Sequence, residues 1–203
     1  MKTITRLFII CMTIALLIVF YKTKVVIDSP SIIDSVPQIV SATASKNQIE
    51  YINLGVPNIN SSFKTYMDYR AITNKNSPQY KFIKQWAWSD YEGFMRCNGE
   101  KDLGIEDNYY LVALGSYYGM SIGTKYRITL DTGRVFYGVL ADCKADKHTN
   151  STNQYGRNKD IIEFLVDTRR LNKSVRYHGT ANVYMPLNGS ITKIERIDFI
   201  QNK

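Results

Sequence analysis

The apolar and polar positions of this chain fall into three regimes. Leu7 to Tyr21 (LFIICMTIALLIVFY) is an uncharged apolar run, with Lys2 and Arg6 before it and Lys22 and Lys24 after it. It is shorter than the roughly 17–25 residues of a full bilayer span and longer than many signal-peptide cores. No small-x-small cleavage site follows closely, since Ala42-Thr43-Ala44 lies far downstream, and Cys11 follows Phe8-Ile9-Ile10 rather than the small residues of a lipobox. Residues 1–24 therefore read as an uncleaved signal anchor rather than a cleaved signal peptide. The flanking charges are nearly balanced, so the short N-terminal tail is expected to stay inside and the bulk of the chain to lie outside the cytoplasm. Residues 25–60 lose all sustained periodicity and are dotted with Ser, Asn and Pro, which reads as a partly disordered spacer.

From residue 61 onward the pattern becomes short apolar runs divided by turns. A short opening helix is expected in Phe63–Arg70, where Phe63, Tyr66, Met67 and Arg70 recur at helical spacing. Strands are expected at Lys81–Trp88, Tyr109–Leu114, Lys125–Leu130, Arg134–Ala141, Ile161–Val166 and Ala181–Met185, with a last run near Ile191–Ile200. Asn98-Gly99, Asp131-Thr132-Gly133 and Asn188-Gly189 are the turn signals. Residues 61–203 thus predict one mainly β domain, a small barrel or sandwich without a long helix.

Charge changes this picture little. The formal net charge is +8, and the four basic side chains of residues 1–24 supply half of it. What remains suits an anionic wall or membrane surface, and its scattered basic residues do not suit nucleic acid. Of three cysteines, Cys97 and Cys143 lie outside the anchor, where an extracytoplasmic disulfide and two free thiols are both open.

Three features carry candidate chemistry. In GVLADCKADKHTN an apolar run ends in Asp142, so a carboxylate stands at the rim of the fold, where a turn Asp capping local backbone is the plainer alternative. In IIEFLV, Glu163 is the only charge of an apolar strand. Buried, it would have a raised pKa and suit general acid chemistry; by simple alternation it would face solvent. Trp86 and Trp88, two apart on the expected strand, could join Tyr109, Tyr110, Tyr117 and Tyr118 in a platform for sugar rings, or simply fill a core. Asp142, Asp146 and His148 match no zinc or calcium spacing, and no glycine-rich phosphate loop exists, so neither metal nor cofactor is expected.

The order YLVALGSYYGMSIGTKYRITL, GVLADCKADKHTN, DIIEFLV resembles the three-aspartate domain of Gram-positive wall-associated proteins. More distantly it is similar to the barrels of rare lipoprotein A, membrane-bound lytic transglycosylase A, expansins and family-45 endoglucanases. The resemblance covers roughly residues 80–170 and implies a six-stranded double-psi β-barrel. The Leu-Gly-Thr lead-in of the family matches Ile122-Gly123-Thr124, its central Asp falls on Asp142, and its last Asp falls on Glu163. Its first Asp falls on Ser116, and the stretch KADKHTNSTNQYGRNK is longer than the family loop.

This likeness implies action on peptidoglycan glycan strands by lytic transglycosylase-like or hydrolytic cleavage. Asp142 and Glu163 would be the catalytic acids, with Trp86, Trp88, Tyr117, Tyr118, Lys144, Asp146 and His148 binding the substrate. The alternative is a non-catalytic module that binds wall polymer or a partner in a membrane-associated assembly of phage or conjugation type. The loss of the first Asp favours it. Oligomeric state is left open.

Overall fold

The structure, a computed structural model, describes residues 48–200. The expected anchor and residues 25–47 of the expected spacer lie outside the described residues. Among the described residues nine strands build one mixed sheet: β1 (Gln48–Asn53), β2 (Thr65–Asp68), β3 (Trp88–Ser89), β4 (Met95–Cys97), β5 (Tyr109–Leu114), β6 (Lys125–Leu130), β7 (Val135–Cys143), β8 (Glu163–Val166) and β9 (Ile191–Ile200). Their order is β1-β9-β6-β7-β5-β4-β3, and β8 joins the same edge of β5 beyond β4 and carries β2 on its far side. The pairs β5–β7 and β2–β8 are parallel and the rest antiparallel. Among the described residues two α-helices accompany the sheet, α1 (Pro78–Trp86) and α2 (Lys173–His178). No helix among the described residues is long and apolar enough to cross a membrane.

Strand β5 (YYLVAL) explains the core. Every one of its residues is buried, as a continuous apolar run requires when both faces of a strand are covered. Tyr110, Val112 and Leu114 point into the larger cluster, where Phe94, Tyr110, Phe136 and Phe164 meet mostly edge to face. Tyr109, Leu111 and Ala113 point the other way, into a second cluster with Val139, Ala141, Leu165 and Ile83 of α1. The turn Asp131-Thr132-Gly133 joins β6 to β7 as its residues predict, with Gly133 at φ 78°.

Four expectations are corrected. Gln48–Asn53, placed in the spacer by its polar neighbours, is strand β1, paired along its whole length with β9. The expected opening helix at Phe63–Arg70 is strand β2 followed by a 3-10 turn, Tyr69–Ala71, because parallel pairing with β8 overrides the helical spacing. The expected strand Lys81–Trp88 is mostly α1, since Ser77 caps the Tyr80 N–H at 3.1 Å and Pro78 opens the first turn. Ala181–Met185 forms 3-10 turns, set by the Thr180 cap and by Pro186.

Cys97 and Cys143, the cysteines among the described residues, are free. Cys97 lies opposite Tyr109 at one end of β5, and Cys143 lies opposite Leu114 at the other. Five residues of strand separate these levels by about 17 Å, far beyond the roughly 4.4–6.8 Å that a disulfide spans between Cα atoms.

Gly115, just past β5, marks a close approach. A Cβ there would stand 1.9 Å from the Asn153 carbonyl oxygen, so the loop after β7 rests directly on this glycine. Gly115→Ala is expected to push that loop off the sheet and to destabilise the fold by about 1–3 kcal/mol. Urea titration measures this, and an unchanged midpoint would contradict it.

Candidate functional site

Pairing across the sheet brings the two predicted acids together. Ala113 on β5 lies opposite Glu163 on β8 and opposite Asp142 on β7, and Glu163 in turn lies opposite Thr65 on β2. Opposed residues on neighbouring strands present their side chains to the same face. Thr65, Glu163, Ala113 and Asp142 therefore form one row across four strands. A bulge makes this possible: Val112 pairs with Leu140 but Ala113 pairs with Asp142, so Ala141 is the extra residue. Such bulges re-aim side chains.

The row opens into a cleft of 490 Å³ that takes in Thr65, Asp142, Lys144, His148, Asp160 and Glu163. That volume is within the range of small-molecule sites. The long segment after β7 walls it. His148 ends the 3-10 turn Asp146–His148, Asn150 Oδ1 accepts from the Gln154 and Tyr155 N–H groups, and Thr149 bridges to Gly156. These internal bonds hold the segment as a defined wall.

Lys144 and Asp160 form a buried ion pair at the base. Lys144 Nζ also donates to the Asp160 carbonyl at 2.8 Å, and Thr65 Oγ1 donates to Asp160 Oδ2 at 3.0 Å. Asp142 is half-buried and accepts from Gln79 Nε2 of α1 at 3.4 Å. Glu163 accepts no hydrogen bond among the described residues. Burial raises its pKa, the Lys144 ammonium opposes that rise, and the negative charges of Asp160 and Asp142 add to it. Such a site holds a carboxyl that resists ionising, beside a second carboxylate in an open polar groove. That combination suits proton donation to a leaving oxygen.

The raised pKa gives stability a definite pH dependence. An acid whose folded pKa exceeds its unfolded value binds more protons folded than unfolded, so stability falls as pH rises through the interval between the two. For Glu163 the interval begins near its ordinary value of 4.5. Glu163→Gln is expected to remove this fall, so its stability advantage over the native chain grows as pH rises from 4.5 toward neutrality. Urea midpoints measured across that range check it, and two parallel curves would sink it.

The remaining predicted residues divide. Lys144 and His148 line the cleft. Asp146 accepts from Ser116 Oγ at 2.7 Å, so the hydroxyl at the position of the lost family Asp is tied to a carboxylate of the long loop. Trp86 ends α1 and Trp88 begins β3, so they share no strand face. They are 57 % and 41 % exposed, and neither lines the cleft. Tyr117 donates its hydroxyl to the Leu54 carbonyl at 2.7 Å, away from the cleft. Tyr118 is 2 % exposed and packs in the larger core, which corrects its assignment to a sugar-stacking surface. The sequence reading missed Thr65, Gln79 and Asp160. Thr65 was hidden in the expected helix, whereas Asp160, directly before the apolar run of Ile161-Ile162, was the one legible signal.

Among the described residues, no group of three His, Cys, Asp or Glu side chains is placed to hold a metal ion. Compared with family models, with curated proteins and with solved structures, the chain matches none.

Proposed function

We propose that the chain is a membrane-anchored, extracytoplasmic double-psi β-barrel that cleaves peptidoglycan glycan strands, with Glu163 as general acid and base. One observation carries the reading: Glu163, its pKa raised by burial, shares one open cleft with Asp142. The connectivity supports the barrel. Strands β9, β6, β7, β5, β8 and β2 form a consecutive set of six that includes both parallel pairs. The chain between β1 and β2 crosses the open side along β9, where the Leu54 N–H donates to the Ile194 carbonyl at 3.0 Å. Ser61 Oγ exchanges bonds with Ile191 at 3.1 and 2.8 Å.

In the cleavage step, protonated Glu163 gives its proton to the glycosidic oxygen as the bond from that oxygen to C1 of N-acetylmuramic acid breaks. The leaving N-acetylglucosamine departs as an alcohol, and Asp142 faces the positive charge that develops at C1. Glu163, now a carboxylate, takes the proton of the C6 hydroxyl, and O6 closes on C1 to give a 1,6-anhydro end. Water taking the place of the C6 hydroxyl gives hydrolysis.

The test incubates the full chain, in nonionic detergent, with purified peptidoglycan and analyses the products by mass spectrometry. Anhydro-muropeptides are expected, reducing-end products would assign hydrolysis, and intact strands would defeat the enzyme reading. The anchor is tested by fractionation in a Gram-positive host: the chain is expected with the membranes, its N-terminus intact.

A second reading, a non-catalytic module binding wall polymer or a partner in a membrane-associated assembly, draws on two observations. Ser116 replaces the first acid of the resembled family, and the exposed tryptophans lie outside the cleft. Co-sedimentation with purified wall in the absence of cleavage would favour it.

A further inference from the structure

A second cleft, of 470 Å³, lies between the β3–β4 turn and the segment leading into α2. Arg169, Arg170, Lys173 and Arg176 line it, all exposed, against a single acidic lining residue, Glu92. It shares no lining residue with the Asp142–Glu163 cleft, so its role is independent of the proposed cleavage. We propose that this cleft binds the phosphoryl groups of a polyanionic ligand.

The charges around it are unevenly compensated. Asp167 grips Arg169 with two hydrogen bonds, of 2.8 and 2.7 Å, and Arg176 donates to the Thr168 carbonyl. No ion pair among the described residues engages Arg170, Lys173 or Arg176. The Glu92 carboxylate is turned to the cleft wall, where it accepts from Asn172 Nδ2 at 2.6 Å. Cations gathered in one concavity repel one another and raise the local concentration of anions. Guanidinium forks match the paired oxygens of a phosphate, and a lysine adds a point charge.

The base of the cleft is rigid. The Asp167 N–H donates to the Gly93 carbonyl and the Asn172 N–H to the Glu92 carbonyl, both at 2.8 Å. A Cβ on Gly93 would stand 2.5 Å from the Leu171 Cα, so the two segments touch backbone to backbone. The cations therefore project from a fixed frame, and ordering a ligand between them does not require ordering the backbone as well.

Calorimetric titration of the full chain in nonionic detergent tests the proposal, with pyrophosphate, tripolyphosphate and glycerol 1-phosphate as probes. Saturable binding of one probe per chain is expected, weakening as salt is raised. Arg170→Ala/Lys173→Ala is expected to weaken it about tenfold or more, since two charge-assisted contacts are lost. Arg134→Ala, on the exposed β6–β7 turn, is expected to leave it unchanged. Preference for tripolyphosphate points to a free polyphosphate, and equal affinity for glycerol 1-phosphate points to a glycerol-phosphate headgroup or chain. Should the double variant not fold, Lys173→Glu alone carries the test, with the same loss expected. Absence of saturable binding by all three probes overturns the proposal, as does equal binding by native and Arg170/Lys173 variants.

Discussion

Glu163→Gln is expected to lower the rate of glycan cleavage by about 10²–10⁴, the usual cost of losing a general acid, while the chain folds as before. Gln fills the same volume and can hydrogen-bond, but it carries no titratable proton. Glu163 accepts no hydrogen bond among the described residues, and burial disfavours its ionised form, so the amide is expected to be accommodated. The comparison that decides the matter is Asp142→Asn, which leaves the acid in place and removes the neighbouring charge. It is expected to slow the reaction while also reducing one of the influences that raise the Glu163 pKa. Glu163 must hold its proton to donate it, so its pKa sets the alkaline limb of the pH–rate profile, which should therefore shift to lower pH. Product release measured by mass spectrometry across pH reads both effects. If both variants cleave at the native rate, the assignment of these two carboxylates is wrong.

Lys144→Met is expected to carry the largest stability loss. The Lys144 and Asp160 side chains are 7 % and 9 % exposed, so the variant strands a carboxylate in a buried place. Removing one partner of a buried pair costs about 3–5 kcal/mol. Thr65 still donates one hydrogen bond to Asp160, which offsets only part of the loss. Lys144→Met/Asp160→Asn is expected to recover much of it, because the orphaned charge disappears with its partner. Lys144 also opposes the upward shift at Glu163, so in any Lys144→Met protein that folds the alkaline limb of activity should move to higher pH. Urea titrations of the single and double variants measure the coupling, and a single-variant loss below about 1 kcal/mol would place the pair among weak surface bridges instead.

How far the fold is legible in the sequence depends on the physical range of each signal. Strands β5, β6, β7 and β9 were legible because their apolar runs reflect burial of the strand itself. Strands β1 and β2 were not, because their pairing with β9 and β8 is set by residues more than ninety positions away. Helix α1 was readable in principle from Ser77-Pro78, but Phe82, Trp86 and Trp88 also alternate as a strand would, and that pattern misled. At Glu163 both sequence readings contribute. Alternation does set it opposite Phe164, yet the face it occupies also carries the second core cluster, with Leu165 and Ile83 of α1, so Glu163 is half-buried at the wall of the cleft rather than fully bathed in water. The Lys144–Asp160 pair left a single local trace, the place of Asp160 directly before Ile161-Ile162, since neither residue type by itself announces burial.

The extra residue in β7 decides on which side of the molecule its carboxylate emerges. Leu140 faces the aromatic interior with Val112, and in an unbroken strand the residue two further on would do the same. Asp142 would then sit opposite Leu114, a charge aimed into hydrocarbon. The bulge shifts the alternation by half a period, so the aspartate comes out beside Glu163 and the thiol of Cys143 takes the inward place. Strand β7 is thus two segments of opposite phase joined at Ala141. Inserting or deleting one residue ahead of Asp142 exchanges the faces of everything beyond it, so the length of this strand is constrained by parity as well as by reach.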